Sequence, residues 1–188
     1  MNLQEALRRS IIANEVDGKL TIAHRFSDPD GLRTGKSGYS FGICQFDLFN
    51  NPRAIHCLSE CGFTPEDIDR LKRQDGPIAD LDAKLLASAP IVNRYDATEI
   101  EHTIAWVKEI CAVRGITFAD DEAFIHACDY HNQYGMQANG KAVLYLSAIR
   151  RPVTASDIRA YKLGTAWGRK RPDDVRRRYD NIARIMRG

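Results

Sequence analysis

The 188-residue chain is 44% hydrophobic and 28% charged, with 27 Lys and Arg against 25 Asp and Glu, which excludes a polycation and a disordered polyelectrolyte. No uninterrupted apolar run reaches the length of a membrane span. The five cysteines (Cys44, Cys57, Cys61, Cys111, Cys128) are odd in number and irregular in spacing, so reduced buried thiols are expected rather than a disulfide scaffold.

Leu3, Leu7, Ile11 and Ile12 recur at helical spacing, and a first helix is predicted to end near Asp17-Gly18, with Glu15 close to its C-terminus. Met1 to Arg9 mixes charge into that spacing, so no secretory signal is expected. From Lys19 to Gln45 the helical period is lost. Two short alternating stretches, Leu20-Thr21-Ile22-Ala23 and Tyr39-Ser40-Phe41-Gly42-Ile43, predict a loop with a small hairpin or three-stranded sheet.

After Asn50-Asn51-Pro52 the pattern is helical to the end. Segments are predicted at Pro52 to Cys61, Thr64 to Gln74, Ala79 to Ser88, Ala97 to Arg114, Asp120 to His131, Lys141 to Ile149, Thr154 to Leu163 and Pro172 to Met186. Thr154-Ala155-Ser156-Asp157 has the spacing of a capping box with Asp in place of Glu. The expected architecture is mainly α (α+β): one domain, residues 1–188, formed by a helical bundle with a small β element near the N-terminus.

Cleavage of a glycosidic bond needs a carboxylic acid that donates a proton to the leaving oxygen, and a carboxyl at the junction of an apolar helix and a polar loop is suited to it. Glu15 has that position; a solvated helix-terminal carboxylate would have it too. Downstream, Gly38, Phe41, Gly42, Gln45 and Asp47 fall in the register G-x-x-F-G-x-x-Q-x-D. In that pattern the chain resembles the goose-type lysozyme and lytic transglycosylase branch of the lysozyme superfamily, in which a catalytic Glu closes a helix and a Gly-rich hairpin follows.

The resemblance covers residues 5 to 50. It implies a lysozyme-like fold and a muramidase that cleaves peptidoglycan strands between N-acetylmuramic acid and N-acetylglucosamine, with Glu15 as general acid. The compact size and the missing export signal point to endolysin-like action on the cell wall, by a protein made in the cytoplasm and released through holes opened by a holin-type partner; an interbacterial effector carried by a secretion machine would look the same from sequence. A lytic transglycosylase giving 1,6-anhydro products is the alternative.

Around Glu15, Tyr39, Ser40, Phe41 and Gln45 are the candidate substrate contacts, with Tyr39 or Phe41 either packing on the core or stacking on a sugar ring. Asp47 is read either as a carboxylate that orients water or as a cap of the next helix. Where the family pattern carries an acid two positions before the first hairpin glycine, this chain has Lys36; Asp28 and Asp30, in a turn-forming Ser27-Asp28-Pro29-Asp30-Gly31, are the candidate replacements. A loose Tyr-Asn element, Tyr130 and Asn132, resembles one whose tyrosine hydroxyl points at the catalytic Glu in that branch.

No metal or organic cofactor is expected, because His56, Cys57, Cys61, His102, His126, Cys128 and His131 repeat no zinc-site interval. A monomer is expected. The arginines of Asp173 to Arg184 form a basic amphipathic helix, which makes nucleic-acid binding the reading from a different functional class, although no nucleic-acid module accompanies it.

Overall fold

The computed structural model describes residues 1–28, 36–74 and 76–188. Among them the helices are α1 (Leu3–Glu15), α2 (Leu20–Ala23), α3 (Pro52–Glu60), α4 (Pro65–Arg73), α5 (Ala79–Ala87), α6 (Ala89–Val113), α7 (Asp121–Tyr134), α8 (Lys141–Ser147), α9 (Ala155–Gly164), α10 (Ala166–Lys170) and α11 (Pro172–Arg187). The strands are β1 (Ser40–Phe41) and β2 (Phe46–Asp47), paired antiparallel with Ser40 opposite Asp47 and Phe41 opposite Phe46. The chain is thus mainly helical with a small sheet near the N-terminus, as the sequence predicted. A single antiparallel bridge between Ser27 and Ser40 supplies one rung of a third strand.

Two predicted elements are revised and one is added. Leu20–Ala23 is a helical turn rather than a strand: Leu20 and Ile22, which an alternating strand would bury on one face, are both exposed, and only Ala23 is buried. The helix predicted from Ala97 begins at Ala89. Pro90 sits in its first turn, where a missing N–H costs nothing, and Val92 and Tyr95 pack into the core. The five-residue α10 was not predicted; it starts where the Thr165 hydroxyl accepts from the Gly168 N–H at 2.9 Å.

The chain divides into two compact units, one of residues 1–14 and 100–188 and the other of residues 15–99. In the 15–99 unit the core is aromatic. Phe41 and Phe46 are fully buried, and Phe26 stacks edge-on against Phe41 and Phe63 at 5.7 and 5.9 Å. Leu58, Leu71, Leu81, Leu85 and Val92 from α3 to α6 close around them. The helices enter this core through side-chain caps: Asn51 accepts from the Arg53 N–H at the start of α3, and Thr64 with Asp67 forms a reciprocal box at the start of α4. Cys57 and Cys61 are free thiols buried in this unit.

In the other unit α7 packs against α9 and α11, burying Ile125, Ile158, Val175 and Ile182. The predicted box at Thr154 is present, and Arg151 forks onto the capping Asp157 at 2.7 and 2.9 Å. The interior of this unit is charged as well as apolar. Asp129 accepts from Arg178 Nη2 at 2.6 Å, Asn14 Nδ2 at 3.0 Å and Lys162 Nζ at 3.2 Å, with all four residues buried.

Candidate active site

The hairpin turn of the 15–99 unit is built by its glycine and a buried carboxylate. Gly42 has a φ of +74°, and a Cβ there would lie 2.8 Å from Asp96 Oδ1, so both the backbone angle and the space require glycine. Asp96, buried on α6, accepts the N–H groups of Ile43 at 3.1 Å and Cys44 at 3.0 Å and so fixes the turn. Burial pushes its carboxyl up to about 6, against the downward pull of those two donors. The Gly42 N–H donates to the Ala23 carbonyl at 2.7 Å, which anchors the turn to α2.

Beyond the turn each residue of the motif has a local task. Gln45 adopts a left-handed φ of 55°, its amide donating to the Gly42 carbonyl at 2.9 Å and accepting from the Ser27 hydroxyl at 3.3 Å. Phe41 is fully buried among Phe26 and Phe46. It therefore does not offer a face to a sugar, which corrects that half of the expectation. Tyr39 is half-buried and packs its ring 6.1 Å from Phe26. Ser40 is buried and spends its backbone on the Ser27 bridge.

Asp47 organises the hairpin exit. Its Oδ1 accepts from the N–H groups of Phe49 at 2.7 Å, Asn50 at 3.1 Å and Gly38 at 3.3 Å, and its Oδ2 from Ser37 Oγ at 2.6 Å and Asn50 Nδ2 at 3.1 Å. Partial burial disfavours its charge, but these donors outweigh it and hold the carboxyl below its ordinary value. The cap of the next helix is Asn51, so Asp47 is not the helix cap that was one of its two readings. Gly38 packs where a Cβ would lie 2.8 Å from the Phe49 ring. Lys36 is exposed, and its carbonyl accepts from Asn50 Nδ2 at 2.8 Å.

Glu15 is the last residue of α1 and is half-buried. The Cys44 thiol is pushed well above its ordinary value by burial first, then by the charges of Asp96, Glu99 and Glu15. Of these three carboxylates, Asp96 bonds the turn directly and Glu99 is paired with Arg53 at 2.8 Å. Asp96 and Glu99 were missed by sequence reasoning, because residues 89–96 fell between two predicted helices and Glu99, inside the helix predicted from Ala97, belongs to no motif. Asp28 is half-buried, and Asp30 lies outside the described residues.

Tyr130 and Asn132 lie on α7 in the other unit. The Tyr130 ring packs against Tyr134 at 5.1 Å and Tyr161 at 5.7 Å, and burial together with a hydrogen bond to Tyr161 raises its phenol. The basic helix α11 is built into its own unit: Arg178 is buried on Asp129, Arg176 and Arg177 pair with Asp173 and Asp174, and Arg184 bonds Asn181. No group of three metal-ligating side chains occurs among the described residues. No helix among them is long and apolar enough to cross a membrane. No family model, curated protein or solved structure matches the chain.

Proposed function

We propose that the chain cleaves the glycan strands of peptidoglycan at the bond between N-acetylmuramic acid and N-acetylglucosamine, with Glu15 as the general acid. The observation that supports this most is the place of Glu15: a half-buried carboxyl that closes α1, in the same compact unit as the Gly42 turn. A rigid glycine turn lets a sugar approach backbone groups, and a helix-end acid can protonate the leaving oxygen. On this reading the enzyme works at the bacterial wall, as an endolysin released by a holin-type partner would.

Glu15→Gln keeps the shape of the side chain and removes its proton. Lysis of purified walls is expected to fall by at least about a hundredfold with the thermal midpoint little changed. Wild-type lysis by the folded variant would remove Glu15 from the reaction.

A lytic transglycosylase is the second reading, and the state of Asp47 favours it. An inverting hydrolase needs a second carboxylate free to activate water, whereas an intramolecular attack by the substrate's own hydroxyl needs only one acid-base residue. Asp47 has five donors on its two oxygens and a lowered pKa, which make it a poor base. Asp28 and Asp30 then carry the hydrolytic version. Mass spectrometry separates the two: reducing muramic ends mean hydrolysis, and 1,6-anhydro ends mean transglycosylation. The nucleic-acid reading draws less support, because the α11 arginines on which it rested have protein partners.

A further inference from the structure

We infer that α10, in the unit of residues 1–14 and 100–188, is a docking surface for an anionic phospholipid bilayer, with Trp167 entering the headgroup layer and Arg169, Lys170 and Arg171 meeting the lipid phosphates. The surface needs no part of the Glu15 chemistry. Three consecutive cations follow Trp167-Gly168, and no acidic residue stands between Thr165 and Pro172. All three cations are exposed, and Trp167 is 46% exposed. Among the described residues none of the three is paired with a carboxylate: Arg169 donates to the Gly164 carbonyl, and the Arg171 guanidinium lies over the Trp167 ring at 6.0 Å. The acids that open α11 are already taken, Asp173 by Arg176 and Asp174 by Arg177. The positive charge of α10 is therefore uncompensated.

A fixed base presents these groups. The Thr165 hydroxyl donates to the Lys162 carbonyl at 2.7 Å and accepts the Gly168 N–H at 2.9 Å, and Gly168 is buried so close to that carbonyl that a Cβ would overlap it. Helix α10 thus seats directly on the end of α9, where Lys162 is itself tied to the buried Asp129 at 3.2 Å. Pro172 lacks an N–H and opens α11, so α10 stops at Lys170. Among polyanions, a lipid surface fits this patch best. Tryptophan, with an apolar body and a polar edge, suits the boundary between headgroups and acyl chains, and basic side chains beside it meet the phosphates. Trp106 spends its Nε1–H on the Met136 carbonyl at 2.8 Å, whereas the Trp167 N–H has no partner among the described residues and is left for a headgroup. A single-stranded nucleic acid is held by several rings in succession along a basic groove, and α10 offers one ring with Arg171 over it.

The test is cosedimentation of the full chain, at low salt, with vesicles of phosphatidylcholine alone and of phosphatidylcholine mixed with phosphatidylglycerol. Each basic side chain near an anionic leaflet contributes about fivefold, so the mixed vesicles are expected to bind about a hundredfold more tightly, and added salt should remove the difference. Changing Arg169, Lys170 and Arg171 together to Gln should abolish the preference, whereas Arg169→Lys with Arg171→Lys should keep most of it. Lys170→Glu alone should cost about twentyfold, and Trp167→Ala about tenfold with the preference retained. All four side chains are exposed, so these variants are expected to fold, and circular dichroism checks this. Arg184→Gln with Arg187→Gln, at the other end of α11, should change little; a loss as large as that of the α10 variants would make the attraction diffuse and overturn the inference. Equal binding to the two vesicles, or a preference that survives in Lys170→Glu and in the triple variant, overturns it as well. Tighter binding of a single-stranded oligonucleotide than of mixed vesicles at the same salt, lost in the triple variant, would replace the lipid with nucleic acid as the partner.

Discussion

In the unit of residues 1–14 and 100–188, Asp129 is buried against two cations; in the unit of residues 15–99, Asp96 is buried against two backbone N–H groups. Burial raises both carboxyls, yet the outcomes are opposite. Arg178, Lys162 and Asn14 overcome the burial of Asp129 and bring it to about 2, whereas Asp96 stays at about 6. The first is a fixed charge that locks α7, α9 and α11 together. The second titrates near neutrality under the hairpin that carries the candidate chemistry. Cations rather than depth decide which kind of buried carboxylate results.

The strongest way to break the contrast is to strip Asp129 of its partner. Arg178→Ala leaves a buried carboxylate with Lys162 as its only remaining cation, and a loss of about 3–5 kcal/mol is expected from removing one side of a buried pair. Urea unfolding measures it, and a loss below about 1 kcal/mol would mean that water reaches Asp129. Because the folded value is depressed, the stability linked to Asp129 is present above its ordinary 3.8 and is lost as the pH falls through about 2.

Asp96 predicts the reverse trend. Its raised value means that the folded chain holds the proton more tightly than the unfolded one. The linked stability is complete below 3.8 and is lost as the pH rises through about 6. The shift from 3.8 to about 6 corresponds to roughly 3 kcal/mol. Denaturant midpoints taken across this range should fall with rising pH in the wild type, and Asp96→Asn should flatten that part of the profile. A slope that survives in Asp96→Asn belongs to another group.

Gly42→Ala sharpens the comparison at the turn itself. The left-handed backbone costs a non-glycine residue about 1–2 kcal/mol, and the new methyl meets Asp96 Oδ1 at 2.8 Å. A thermal-shift measurement should show destabilisation larger than the backbone cost alone, by the amount of the steric clash. Pairing the substitution with Asp96→Ala should recover the steric part only, since the backbone cost remains.

Much of the site was legible because its residues are close in sequence. The Glu15 helix end and the G-x-x-F-G-x-x-Q-x-D hairpin were found where their spacing put them, and the aromatic and glycine positions follow from turn geometry. Asp96 was not legible, since it serves a turn more than fifty residues away and interrupts no local pattern. Arg178 was read as part of an exposed basic face. The signal against that was present: Val175, Arg178 and Ile182 share the i, i+3, i+7 stripe of α11, as Ile158 and Lys162 share one on α9 and Ile125 and Asp129 one on α7. Charges that fall on the apolar stripes of separate helices must find each other or stay unpaired, and here they meet.

The smallest expected effect tests what Asp47 is for. Asp47→Asn keeps a carbonyl oxygen for the N–H groups of Phe49, Asn50 and Gly38, but puts an amide where Oδ2 accepted from Ser37 and Asn50. The Ser37 hydroxyl can rotate to accept instead, so the net loss should be about 1 kcal/mol or less. Helix α3 keeps its cap, because that group is Asn51, whose replacement by Ala should cost about 1 kcal/mol by itself. The two losses should be close to additive if Asp47 shapes the hairpin exit and Asn51 the helix start. Lysis by Asp47→Asn then stays close to wild type, since the hairpin still forms. A drop of about a hundredfold or more with an unchanged unfolding midpoint would instead make Asp47 the base that activates water, and the five hydrogen bonds would be the means of aiming it.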